Sequence, residues 1–427
     1  MEFYRKGNSF LILLFVLFFL SAVLFELQFQ QFISRKFLVL NNQTISPEKA
    51  PLLHAYEPPK KLANPPEIIK AVYVTGWSAG RAEYLNYLDR LFTNTEINAV
   101  VIDIKDYSGL VSYNSSAPEV KKYNLTNYAI SDIDNLVRYL HSRNVYVIGR
   151  ISVFEDPAYS KARPELAIYD EQKTIDSGSL VLWQDNNKLS WLDPASKDMW
   201  GYDVSLAKDA FLHGFDEMNF DYIRFPSDGN VENMGFPVWD PKKLREEVIK
   251  EFFNYLRTSL VGEKISVDLF GQTTTNTDDM GIGQVIENAF ENFDYVCPMI
   301  YPSHYVDGFL SFNNPAEHPY EIVNYSLNVA IARELKFLDA EHVATENNIE
   351  TVSSAIASPF VSAEPPLAKF RPWLQDFNMG ADYTADMVKA EIRAVEDALG
   401  KEYNGFMLWN SSNIYTQGAV FKPLSAE

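Results

Sequence analysis

The stretch Phe215-Asp216-Glu217-Met218-Asn219-Phe220-Asp221-Tyr222-Ile223-Arg224-Phe225-Pro226 decides how the rest of the chain is read. Extended as a strand, it sends Glu217, Asn219 and Asp221 to one side and Met218, Phe220 and Tyr222 to the other. A strand that is apolar on one face, carries carboxylates and an amide on the other, and runs into a Pro-marked loop suits a parallel barrel. There the outer face packs on helices and the inner C-terminal end presents reactive side chains. The expectation is that Asp221 is the central catalytic carboxylate of a (β/α)8 enzyme.

Working outward, short β-branched or aromatic runs recur at Ala71–Gly76, Ala99–Ile104, Val145–Ile151, Asp216–Ile223, Ile265–Phe270, Tyr295–Tyr301, Phe370–Leu374 and Gly405–Trp409. Helical periods separate most of them, at Tyr84–Phe92, Ile130–Ser142, Lys197–Leu212, Leu244–Leu260, Tyr320–Leu338 and Ala385–Leu399. Alternating strand and helix imply a parallel sheet of the α/β class, and eight repeats imply closure into a TIM barrel over residues 68–427. A doubly wound sheet is the runner-up, but no Gly-rich phosphate turn follows the first strand. Long loops are expected at Asp156–Trp191, Pro226–Asp240 and Asp339–Lys369; the first two leave C-terminal strand ends, where a barrel builds its site.

Upstream, Arg5 and Lys6 precede the uncharged run Phe10–Phe25, so residues 1–26 read as a single N-terminal transmembrane signal anchor, with a cleaved signal peptide as the alternative. Positive charge before the run places the barrel on the extracytoplasmic side of a cell membrane, single-pass, or secreted if the segment is cleaved. Residues 27–67, with Pro47, Pro51, Pro58, Pro59, Pro65 and Pro66, read as a stalk. A formal net charge of −20 disfavours nucleic acid and anionic lipid surfaces as partners. Cys297 stands alone, so no intrachain disulfide forms, and six scattered His make no zinc-type pair. No nucleophile elbow, P-loop or dinucleotide fingerprint occurs, and no cofactor is expected.

Strand parity nominates the site residues. Asp103 and Lys105 share a face of strand two, Ile148 and Arg150 of strand three, Asp268 with Ser266 and Phe270 of strand five, Met299 and Tyr301 of strand six, and Met407 and Trp409 of strand eight. Strand one offers Thr75 and Trp77. Asp221 and Asp268, on neighbouring strands, form the pair for acid and base work, because hydrolysis of a glycoside needs one ionised and one protonated carboxyl across the bond. Asp103 is the alternative acid. Lys105, Arg150 and Arg224 set the charge, Trp77, Tyr301 and Trp409 supply walls for a sugar ring, and His304 lies in a loop within reach. Each has a plainer use: an isolated Asp at a strand end more often caps a helix or pairs with a cation, and a lone aromatic more often packs.

Several of these residues fall in familiar runs. Gly76-Trp77-Ser78, Val101-Ile102-Asp103-Ile104-Lys105-Asp106, Gly149-Arg150-Ile151, Phe220-Asp221-Tyr222-Ile223-Arg224-Phe225-Pro226, Asp268-Leu269-Phe270-Gly271, Pro298-Met299-Ile300-Tyr301-Pro302-Ser303-His304-Tyr305 and Arg371-Pro372-Trp373-Leu374-Gln375-Asp376-Phe377 together resemble the putative glycosyl hydrolase domain family, from about Ala71 to Tyr415. The resemblance implies a barrel related to carbohydrate hydrolases, and a polysaccharide or oligosaccharide substrate. More distantly the pattern is similar to the alpha-amylase arrangement, with a strand-four Asp as nucleophile and a strand-five carboxylate as acid. Asp221 and Asp268 fall on those positions, although strand five here carries Asp where that pattern has Glu. The expected function is a glycoside hydrolase or transglycosidase acting on an extracytoplasmic polysaccharide. The alternative is a catalytically silent barrel that grips glycan without cutting it.

Overall fold

The computed structural model describes residues 57–351 and 367–422, without the side chains of 341–351. The run Phe10–Phe25 and most of the expected stalk lie outside these residues. Among the described residues no helix is long and apolar enough to cross a membrane.

Eight parallel strands close on themselves. They are β1 (Ile69–Val74), β2 (Ala99–Lys105), β3 (Tyr146–Ser152), β4 (Glu217–Asp221), β5 (Ile265–Phe270), β6 (Tyr295–Met299), β7 (in two pieces, Lys369–Phe370 and Trp373–Gln375) and β8 (Gly405–Trp409). Each pairs with its sequence neighbours, and β8 pairs with β1 through Ile69 opposite Gly405, which shuts the barrel. β7 is broken at Arg371-Pro372, because Pro372 has no N–H to donate; its carbonyl still accepts from Met407 N at 3.0 Å, so the seam to β8 holds. Outside run helices α1 (Ala82–Asn94), α2 (Ile133–His141), α3 (Lys197–Leu212), α4 (Arg245–Ser259), α5 (Glu287–Phe290), α6 (Pro319–Thr351) and α7 (Ala385–Leu399). All eight expected strands and six expected helices are present.

Period-two alternation divides the apolar residues into two cores. Val72, Val100, Ile102, Val147, Met218, Phe220 and Val267 point outward into the layer between strands and helices, whereas Ala71, Tyr73, Val101, Ile148, Cys297, Trp373 and Met407 fill the lumen. The lower lumen also holds a completely buried ion pair between Arg371 Nη2 and Glu217 Oε1. Ser266 Oγ donates to Glu217 Oε1 at 2.6 Å and Tyr146 Oη to Glu217 Oε2 at 3.2 Å, while the Arg371 guanidinium lies 3.9 Å from the Tyr295 ring centre. These contacts offset part of the desolvation cost of burying two charges.

Three features differ from expectation. Residues Pro58–Pro66, assigned to the stalk, lie against the barrel: Leu62 N donates to Asp216 Oδ1 at 2.6 Å, Leu62 packs on the lumen cluster, and Pro59 sits against Gly214. The segment expected as a loop from Asp339 starts as a continuation of α6 to Thr351. The loops after β3 and β4 are joined, since Tyr169–Asp170 pairs antiparallel with Met234–Gly235. Trp183 and Trp191, buried in the surrounding loops, join that ribbon to the hydrophobic layer between strands and helices.

Candidate active site

The C-terminal ends of β2, β3, β4 and β5 bring four of the expected residues together. Arg150 is the hub: Nη1 donates to Asp103 Oδ1 at 2.6 Å, Nη2 donates to Asp221 Oδ2 at 2.5 Å, and Nε lies 3.9 Å from Asp268 Oδ2. Register explains the convergence, because Asp103 stands opposite Arg150 across the β2–β3 ladder, and Arg150 opposite Asn219 across β3–β4. The remaining oxygen of Asp221, Oδ1, accepts from the backbone N–H of Tyr222 at 2.6 Å. Tyr222 has φ 56°, a left-handed conformation unusual for a residue with a side chain, and so turns its own N–H onto the preceding carboxylate.

Asp268 occupies a different environment. Its Oδ1 accepts from Trp373 Nε1 at 2.7 Å and Asn219 Nδ2 at 2.8 Å, while Oδ2 has no hydrogen-bond partner among the described residues. Burial, and then the negative charge of Asp221, push its carboxyl well above the usual carboxylate range, favouring the protonated form. Asp103 is pushed up by burial too, against the pull of Arg150; Tyr73 Oη donates to its Oδ2.

Asp221, Asp268 and Arg150 line a cleft of about 600 Å3 whose far wall is aromatic. Tyr301, Phe377 and Trp409 form that wall, with Phe377 set edge-on to Trp409 at 5.1 Å between centroids and Tyr73 stacked beneath Trp409 at 6.0 Å. His304 is exposed at the rim, edge-on to Tyr301 at 5.3 Å. Arg224 lines the side nearest β4.

Two expected site residues lie elsewhere. Lys105 is fully buried outside the lumen, where Nζ bonds Asp156 at 2.8 Å and Asp203, on α3, at 2.9 Å. A register shift between Asp103 and Lys105 breaks the alternation there and turns Lys105 away from the face that Asp103 occupies. Trp77 is 57% exposed on a short helical turn after β1 and does not line the cleft. The inward residue of β1 at this level is Tyr73, two and four positions before Thr75 and Trp77 on the same parity.

Sequence reasoning also passed over Trp373, which holds Asp268, and Glu155, which no strand pattern marks. Glu155 is buried in the loop after β3, and burial, with Asp185 next, pushes its carboxyl up to about 8.

Residues 71–415 match the profile of a family described as a putative glycosyl hydrolase domain. No curated protein shows significant similarity to the chain. Among solved structures, a hypothetical protein from Ruminiclostridium thermocellum is 38% identical over 49% of this chain and 98% of its own, with a TM-score of 0.42. The glycoside hydrolase domain of PgaB (BpsB) from Bordetella bronchiseptica is 14% identical over 81% of this chain and 95% of its own, with a TM-score of 0.53, a likeness of fold. An alpha-galactosidase from Thermus thermophilus is 11% identical over 84% of this chain and 61% of its own, with a TM-score of 0.46.

Proposed function

The chain belongs to the putative glycosyl hydrolase domain family, and on that footing we propose that it hydrolyses, or transfers, glycosidic bonds of an extracytoplasmic polysaccharide at the Asp221–Asp268 cleft. The observation that carries this reading is the contrast between two carboxyl groups lining one cleft. Asp221 accepts from a guanidinium and a backbone N–H, whereas Asp268 is buried and driven toward its protonated form. Glycoside hydrolysis needs such an asymmetry: a carboxylate to attack the anomeric carbon or activate water, and an acid to protonate the leaving oxygen. Asp221 takes the first role. Asp268 takes the second, with Oδ2, which has no hydrogen-bond partner among the described residues, as the oxygen that would carry the proton. Asp103 acts through Arg150, sharing the guanidinium that orients Asp221.

The aromatic wall of Tyr301, Phe377 and Trp409 supports a sugar as the occupant, because flat rings pair with the apolar face of a pyranose at small entropic cost. Retention is proposed by analogy with the amylase-like placement of Asp221; retaining pairs stand about 5 Å apart and inverting pairs about 6.5–9.5 Å. The anomer of the first product, followed by proton NMR, decides between them. The N-terminal apolar run would hold the barrel at the outer face of a cell membrane.

The test is release of reducing ends from a panel of envelope and storage polysaccharides by the full chain. New reducing ends on at least one polymer support a glycosidase. Binding without any release would leave the silent glycan-binding barrel as the function.

A further inference from the structure

Arg224 is a buried cation packed among aromatic rings. It is 7% exposed, and its guanidinium carbon lies 4.7 Å from the Trp191 ring centre and 4.8 Å from that of Phe270, so aromatic rings pack closely around it. One nitrogen, Nη1, is satisfied within its own loop by Phe225 O and Ser227 Oγ, both at 3.2 Å. Nε and Nη2 have no hydrogen-bond partner among the described residues, and no carboxylate there reaches ion-pair distance. Glu155, Asp221 and Asp228 are felt only as more distant charges. Neither nitrogen is among the fully buried polar atoms that lack a partner, so the two-nitrogen edge is open to the cleft, where a ligand can reach it. Arg224 lines the same cleft as Asp221 and Asp268.

The Nε–Nη2 edge of a guanidinium is a planar fork whose spacing matches the two oxygens of a carboxylate. We propose that Arg224 is a substrate-recognition residue that seats the carboxylate of an acidic sugar beside the scissile bond, so that the glycan taken by this cleft carries hexuronic acid units. The proposal rests on the reading of the cleft as a glycan site. Arg150 is already shared by Asp103 and Asp221, which leaves Arg224 as the cleft cation with no carboxylate at ion-pair distance among the described residues. At the scale of the molecule, a net charge of −20 repels a densely charged polyanion. One seat in an acidic protein therefore suits an otherwise neutral chain with isolated uronate units.

The test compares three probes on the full chain by calorimetry: a neutral xylo-oligosaccharide bearing one glucuronate, the same compound with the carboxyl reduced to an alcohol, and a counterpart bearing one sulfate. The parent is expected to bind the uronate ~10- to 100-fold more tightly than the reduced form, the loss that follows removal of a charge-assisted bidentate contact. Arg224→Gln should erase that preference, so that the variant binds uronate and reduced form alike, and Arg224→Lys should keep only part of it. Equal binding of uronate and reduced form by the parent overturns the proposal without any variant having to fold. Sulfate bound as tightly as uronate overturns the carboxylate assignment. Turnover is read separately: a uronate preference without bond cleavage sinks the hydrolase reading alone, and cleavage of neutral polymers without that preference sinks this proposal alone.

Discussion

Two buried carboxyl groups near Arg150 titrate in ways that separate chemistry from stability. If Asp268 is the proton donor, its raised pKa keeps it armed beyond the ordinary carboxylate range, and turnover falls as rising pH removes the proton. The kcat/KM profile should show that alkaline limb. Asp268→Asn should abolish the limb and cost about 100- to 10,000-fold in rate, as loss of a general acid does; a limb that survives the substitution would assign it to another group. Glu155 makes the second case. Its folded pKa of about 8 lies above the ordinary 4.5, so the stability it contributes is complete below pH 4.5 and is lost as pH rises through 8. Glu155→Gln should therefore gain on the parent by on the order of 1 kcal/mol per pH unit between pH 5 and 8, read from paired melting curves. Neither environment was legible in the sequence, although Asp268 itself was, because parity reports which face a side chain takes and not what surrounds it. Parity also misplaced Lys105, whose strand slips in register immediately after Asp103, and it stopped at Thr75 and Trp77 when Tyr73 lay on the same face one step earlier.

Among the elements, β4 and β7 carry the polar interior. Glu217 and Arg371 link them across the lumen, buried to zero exposure. Removing one partner strands the other charge, so Arg371→Met should cost about 3–5 kcal/mol in urea unfolding at unchanged m-value, and Glu217→Leu added to it should recover much of that loss. A double variant as unstable as the single one would mean that the pair acts through shape rather than charge. The strands were readable because outward apolar residues alternate with lumen residues over each run. The broken β7 was readable as a strand too, but not its interruption, which depends on Pro372 accepting from β8 where it cannot donate. The ribbon between Tyr169–Asp170 and Met234–Gly235 was invisible, since two residues on each side carry no period and their pairing is long-range.

For the molecule as a whole, closure from Ile69 to Gly405 makes the barrel one body, and the short segment from Pro58 to Pro66 rests against it. Relative to a chain starting at Glu57, one starting at Glu67 should lose about 1–2 kcal/mol with the Leu62 contacts. Identical melting of the two truncations would show those contacts to be idle. The alternation of eight strands with helices announced the barrel, and the C-terminal end as the site followed from it; parity also named Arg150, Asp221, Asp268, Tyr301 and Trp409 in the cleft, but not Trp373 or Phe377. The proposed function rests on Asp221 as the group that meets the sugar. The most direct measurement is turnover of the best polysaccharide substrate by the full chain and by Asp221→Asn, with affinity and melting temperature recorded for both. A fall of roughly 10,000-fold in kcat, with affinity and folding preserved, is the predicted result; turnover within about tenfold of the parent would contradict the account.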